Sequence, residues 1–283
     1  MKKRIVVIVG PTAVGKSDYA VDYAIKNNGE IISADSRQVY KGMDIGTGKI
    51  TQIEMKGIKH YLLDVADPKE QFNVNTFKIL AEKAIDDISS RKKLPIICGG
   101  TGFYIDAVVN NISYPDVPHN KILRKNLINK NISELFEILN NLDSNFANSL
   151  NNSEKNNKQR LIRSIEIATA LGKIPKPDKN SPYNVTWIGL NSPFPKLKER
   201  IHKRLIKRIE EGMIKEVENL HKDGLSWERM DALGLEYRYV SRFLRKLITK
   251  EEMIKKLEIE ICHYAKRQMV WFKRNKEIKW IMK

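Results

Sequence analysis

Eight residues near the start of the chain limit its fold more than any others: Gly10-Pro11-Thr12-Ala13-Val14-Gly15-Lys16-Ser17. They fit the spacing G-x-x-x-x-G-K-[ST]. Residues 4–9 before them form a short apolar, β-branched run that ends at a glycine, the pattern of a buried parallel strand. Residues 16–26 after them read as a helix, with Tyr19, Ala20, Tyr23 and Ala24 on one side. A strand, a glycine loop and a helix in this order make a nest of inward-pointing amides at the positive end of a helix, which suits a phosphorylated ligand. Lys16 can neutralise terminal phosphate oxygens, and the Ser17 hydroxyl can ligate Mg²⁺.

The same alternation continues along the chain. Strands are expected at residues 30–34, 60–65 and 94–98, with a helix at 76–88 whose apolar face carries Phe77, Leu80, Ala81, Ala84, Ile85 and Ile88. From residue 113 to 181 the texture turns Asn-rich and helical, with helices such as 133–142 and 158–171, and it ends in the polar, proline-bearing segment 175–182. A last strand at 185–190 rejoins the sheet, followed by long helices at 196–222 and 250–271. The expected fold is α/β, a P-loop NTPase-like parallel sheet with flanking helices and a helical insertion domain. Residues 1–112 and 182–283 would form the core, and residues 113–181 the insertion.

Composition removes several classes of function. The chain has 283 residues, 41% hydrophobic and 30% charged, the balance of a folded globular protein. No stretch approaches the ~20 apolar residues of a membrane-spanning helix, and the apolar run after the basic N-terminus meets Gly10-Pro11 too early for a signal peptide. The two cysteines, Cys98 and Cys262, stand far apart in apolar surroundings, which argues for packing and a reducing, cytoplasmic setting rather than a disulfide or metal site. The net charge is +17, and from Pro193 onward 24 Lys+Arg face 14 Asp+Glu. Such an excess fits a polyanionic partner such as a nucleic acid, and it also fits a lysine-rich surface kept for solubility.

The loop alone leaves the phosphorylated ligand open. A nucleoside triphosphatase usually carries an acid at the end of a hydrophobic strand to hold Mg²⁺. Here the run Pro95-Ile96-Ile97-Cys98 ends in Gly99-Gly100-Thr101-Gly102, with no carboxylate. The well-placed acid is Asp35, after the second expected strand. That combination suits a loop holding a leaving diphosphate while Asp35 serves a nucleophile.

Taken together, several motifs resemble the tRNA dimethylallyltransferases. They are residues 10–17, Asp35-Ser36-Arg37-Gln38-Val39-Tyr40, His60-Tyr61-Leu62-Leu63-Asp64, Gly99-Gly100-Thr101-Gly102-Phe103-Tyr104, Asn157-Lys158-Gln159-Arg160-Leu161-Ile162-Arg163, Arg200-Ile201 with Arg204, Tyr264-Ala265-Lys266-Arg267-Gln268 and Trp271-Phe272. The resemblance implies transfer of an isopentenyl group from dimethylallyl diphosphate to N6 of the adenosine at tRNA position 37, next to the anticodon, by a monomeric enzyme. Asp35 would accept the N6 proton, and Thr101 would lie near the reacting amine. Lys16, the loop amides, Mg²⁺ on Ser17 and either Arg200 or Arg204 would stabilise the departing diphosphate. Asp35, Ser36, Arg37, Gln38 and Thr101 would address a flipped-out base. Gln159, Arg160, Leu161, Ile162 and Arg163, with Arg124, would grip the anticodon stem-loop.

Other roles stay open for several of these residues. Asp35 is also suited to capping a turn, Thr101 to capping the next helix, Arg200 and Arg204 to a solvated basic face, and Arg124 to ordinary surface. Basic and aromatic residues interleave around Tyr264, Trp271 and Phe272, a pattern that serves RNA binding or core packing. The chain departs from the usual family pattern in three places. Gly46-Thr47-Gly48-Lys49-Ile50 stands for Gly-Thr-Ala-Lys-Pro, Ile261-Cys262 stands for Thr-Arg, and Ala232-Leu233-Gly234-Leu235-Glu236-Tyr237 departs from the more usual Ile-Gly-Tyr-Lys-Glu. Competing readings are an adenylate isopentenyltransferase, an ATP-using nucleotide kinase and a non-enzymatic RNA-binding module. The insertion and the basic C-terminal third favour tRNA as the partner.

Overall fold

The computed structural model describes residues 2–176 and 180–283. The N-terminal half of the first unit runs β1 (Lys3–Val9), α1 (Lys16–Lys26), β2 (Gly29–Ala34), α2 (Gln52–Met55), β3 (His60–Tyr61), α3 (Val74–Ser90), β4 (Leu94–Gly99) and α4 (Gly102–Val109). A helical stretch follows: α5 (Lys121–Leu127), α6 (Ile132–Leu142), α7 (Ser144–Ser149), α8 (Asn152–Lys155) and α9 (Lys158–Leu171). The chain then forms β5 (Tyr183–Asn191), α10 (Phe194–Glu210), α11 (Met213–Lys222), α12 (Trp227–Leu233), α13 (Leu235–Leu244), α14 (Lys250–Phe272) and β6 (Lys279–Met282). Two compact units result, Met1–Ile112 with Lys179–Lys283, and Ser113–Asp178. Part of the proline-bearing segment 175–182, residues 177–179, lies outside the described residues.

In the first unit six parallel strands lie in the order β3-β2-β4-β1-β5-β6. Burial on both faces explains why β1 reads as an unbroken apolar run rather than an alternating one. Val6 and Ile8 pack with Val21 and Ala24 of α1, Leu197 and Leu205 of α10, and Leu257 of α14. Ile5, Val7 and Val9 join the opposite layer, with Phe77 and Ile85 of α3, Ile105 of α4 and Phe272 of α14. β1 sits between β4 and β5, so the loop that follows it emerges near the middle of the sheet's C-terminal edge, where α/β proteins bind ligands.

Three expectations are corrected. The strand expected at 60–65 pairs only over His60–Tyr61, because Leu62 (φ 64°) and Asp64 (φ 57°) adopt left-handed backbone that cannot continue a ladder. The helix expected at 196–222 is two helices, broken at Gly212 (φ 105°). The strand at 185–190 is not the last, since β6 pairs beside it at the sheet edge.

The helical unit has its own core of Leu127, Leu135, Leu139, Ala147, Leu161, Ile162, Ile165 and Ala168. Its asparagines have a local structural cause. Asn120, Asn131, Asn151 and Asn157 are helix N-caps whose side chains accept from otherwise unpaired backbone amides.

Candidate active site

The site begins at the loop between β1 and α1. Ala13 (φ 62°) and Gly15 (φ 89°) are left-handed, and Gly15 is the residue that leads into α1. Alternation of hand turns successive amides toward the same side, and a side chain at Gly15 would add strain to that turn. Gln268 of α14 ties the loop to the Gly99–Thr101 turn: its Oε1 accepts from Thr12 N (2.8 Å), and its Nε2 donates to the Gly100 carbonyl (3.0 Å). The Lys16 ammonium donates to the Pro11 carbonyl at 2.7 Å. Burial brings the Lys16 pKa down to about 8, and the Arg204 charge acts in the same direction against Cys98 and Asp35.

A cavity of about 660 Å³ opens on this loop, lined by Thr12, Lys16, Ser17, Asp35, Gln38 and Arg204 among others. All of these belong to the first unit. The two oxygens of Asp35 differ in their partners. Its Oδ1 accepts from the amides of Arg37 (2.8 Å) and Gln38 (3.3 Å), capping the turn after β2, while Oδ2 takes no part in those bonds. The turn thus fixes the carboxylate through one of its two oxygens.

Thr101 occupies the N-cap position of α4 without capping it through its side chain. Its Oγ1 instead accepts from Ser36 N at 3.1 Å, and it also hydrogen-bonds the Tyr264 hydroxyl, whose pKa burial pushes well up. Thr101 is therefore joined to the Asp35 turn by one bond, although it is not itself in the cavity lining. Gln38, expected to offer its amide to a base, is engaged at both ends: Oε1 accepts from Ser33 Oγ (3.1 Å), and Nε2 donates to the Gly48 carbonyl (3.2 Å).

Of the two arginines offered for the diphosphate, the structure brings Arg204 to the cavity and leaves Arg200 outside its lining. The two differ by one turn of α10, and only the second lies opposite the loop. Burial, with the nearby Arg208 charge, lowers the Arg204 pKa to about 10. Arg208 and Glu236 also belong to this region and were not singled out from sequence. The signal was present, because Arg208 repeats the four-residue spacing from Arg200 to Arg204.

Among the described residues no group of three or more His, Cys, Asp or Glu gathers as a metal cage. Ser17, next to Lys16 in the chain, is among the residues that line the cavity. That donor set fits Mg²⁺, which commonly takes few protein ligands and completes its shell with phosphate oxygens and water.

The helical unit holds the other residues expected to meet RNA. Arg124 and Arg163 turn inward, closing on the buried carboxylate of Glu166 at 2.7 and 3.2 Å, with His119 at 3.4 Å. Burial raises the Glu166 pKa, but Arg124, the Asn120 amide, Arg163 and His119 together outweigh it and hold it at about 2. Leu161 and Ile162 are 0% and 2% exposed, so their side chains serve the core of this unit and not an RNA grip. The alternation of α9 decides this, since positions facing the core cannot also face solvent. Gln159 and Arg160 remain exposed, and the Arg160 side chain makes a 3.4 Å pair with Glu154. Trp271 and Phe272 are packing residues, with Trp271 Nε1 donating to Asp106 at 2.9 Å. Cys98 and Cys262 are free and buried. No helix among the described residues is long and apolar enough to cross a membrane.

The chain is similar to several known proteins. A tRNA dimethylallyltransferase 2 of Treponema denticola is 42% identical, covering 100% of this chain and 97% of that protein. A tRNA dimethylallyltransferase of Anoxybacillus flavithermus is 40% identical over 99% of this chain and 90% of its own. Among solved structures, the tRNA isopentenylpyrophosphate transferase of Bacillus halodurans is 37% identical, with a TM-score of 0.75 over 99% of this chain and 90% of that one. A eukaryotic dimethylallyltransferase acting on tRNA superposes with a TM-score of 0.83 at 26% identity, over 99% of this chain and 74% of that one. Residues 38–275 match the family model described as IPP transferase, and the chain belongs to that family.

Proposed function

We propose that the chain transfers a dimethylallyl group from dimethylallyl diphosphate to N6 of adenosine 37 in tRNA, releasing diphosphate. The observation that carries this reading is the sharing of one cavity by the phosphate loop with Lys16 and Arg204 and by the anchored carboxylate of Asp35. Asp35 Oδ2 takes a proton from the adenine N6 as the nitrogen forms its bond to the allylic C1. The C1–O bond breaks, and its electron pair leaves with the diphosphate. Lys16, the loop amides and Arg204 meet the negative charge as it builds on the leaving group. Thr101, tied to Ser36 and Tyr264, positions the amine against Asp35. Mg²⁺, held by Ser17 and the diphosphate, would supply further neutralisation of the leaving group.

The target base must leave its stack, which costs a few kcal/mol. The turn Ser36-Arg37-Gln38 would meet the extruded base, and the exposed Gln159 and Arg160 would hold the anticodon stem-loop. The names of the relatives support tRNA as acceptor. The chain would work as a cytoplasmic monomer.

Labelled dimethylallyl diphosphate incubated with the protein and tRNA, AMP or no acceptor tests the reading. Label in tRNA at a single adenosine is the expected result. Label in AMP would make the protein an adenylate isopentenyltransferase, and phosphoryl transfer from ATP would make it a kinase.

A further inference from the structure

Arg208 and Glu236 have no part in the proposed reaction, yet Arg208 lines the cavity and Glu236 pairs with it, their side chains 10% and 12% exposed. Arg208 Nη1 donates to the Gly46 carbonyl and to Glu236 Oε1, each at 3.2 Å. A Cβ on Gly48 would collide with Nη2 of both Arg204 and Arg208, which puts these two nitrogens less than about 4 Å apart. Two guanidiniums therefore touch at one edge of the cavity that also holds Lys16 and Ser17. Glu236 compensates one of them. No hydrogen bond or ion pair ties down Arg204 among the described residues.

Like charges held this close in a partly desolvated wall repel unless an anion lies between or beside them. One departure from the family pattern lies here: an alanine at 48 would fill the space taken by the two guanidiniums.

We propose that Arg208 joins Arg204 in a paired guanidinium site for the diphosphate of the allylic donor, with Gly48 making room for the pair and Glu236 holding its second member. The inference rests on the diphosphate reading of this cavity. Paired guanidiniums suit the target, because each offers planar N–H forks to phosphate oxygens.

The test titrates inorganic pyrophosphate with Mg²⁺ into the full chain by calorimetry, beside KM and kcat for dimethylallyl diphosphate. Arg208→Met should weaken pyrophosphate binding by about tenfold or more and raise KM by a similar factor. The double variant Arg208→Met with Glu236→Gln removes the cation without stranding a buried carboxylate, and it should show the same loss at wild-type melting temperature. Wild-type affinity in the folded double variant would overturn the proposal, since the loss in Arg208→Met would then come from the unpaired Glu236. If the wild-type protein itself does not bind pyrophosphate, the diphosphate reading fails and this inference fails with it. Normal binding by both wild type and variants ends this inference alone.

Discussion

In the helical unit Arg124 and Arg163 close on the buried carboxylate of Glu166, whereas in the α/β unit Lys16 and Arg204 face a cavity and, among the described residues, no carboxylate is bonded to either. Both arrangements gather cations, and they differ in what completes them. The first is complete in the folded chain and acts as architecture, joining α5 to α9. The second lines a cavity, and burial lowers the pKa of both Lys16 and Arg204. Basic residues alone do not mark a binding site.

The largest expected effect breaks the comparison on the catalytic side. Asp35→Ala should cut single-turnover transfer by about 10²–10⁴-fold, the usual range for a lost general base, while tRNA affinity is retained. Unchanged turnover would remove Asp35 as the base.

Next comes the closed network. Glu166→Ala strands two arginines and should cost about 3 kcal/mol, near the low end for a broken buried pair because both arginines keep part of their surface in water. Chemical denaturation should show this loss, with pyrophosphate binding untouched. A loss of pyrophosphate affinity instead would place Glu166 in the site. With the folded pKa held at about 2, the Glu166 contribution to stability is present above the unfolded value of ~4.3 and is lost as pH falls toward 2.

A smaller effect concerns the protonation of Lys16. Its pKa of about 8 in the ligand-free protein means that the charge is lost as pH rises through 8, so protein-linked pyrophosphate affinity should fall there. Lys16→Met should bind more weakly and lose that part of the pH dependence; calorimetry across pH 7–9 compares the two. The same dependence in Lys16→Met would assign the titration to another group. Smallest of all, Arg160→Ala should weaken tRNA binding modestly and lower the salt slope by about 1. An equal or larger effect from Arg124→Ala, with the unit still folded, would show that compensated arginines also meet RNA.

Much of the α/β unit was legible because its signals are local. Residues 10–17 carry their conformation in their own glycines, and β1 and α1 follow from the apolar pattern on either side. Asp35 was found from its place after β2. Residues 60–65 looked like a strand because their apolar character resembles one, and nothing local announces the left-handed Leu62 and Asp64. In the helical unit the elements were visible but the facing was not: Leu161 and Ile162 sit in the same run as Gln159 and Arg160, and only packing shows which pair is core.

The sequence by itself determined the phosphate loop, the alternation of strand and helix, and the acid at Asp35, because each depends on neighbours a few positions away. Tertiary structure alone decided that Arg204 and not Arg200 reaches the loop, that Gln268 bridges Thr12 to Gly100, and that Arg208, Gly48 and Glu236 meet. These last contacts join residues up to 256 positions apart, and no local pattern encodes which charges meet once the sheet and helices have packed.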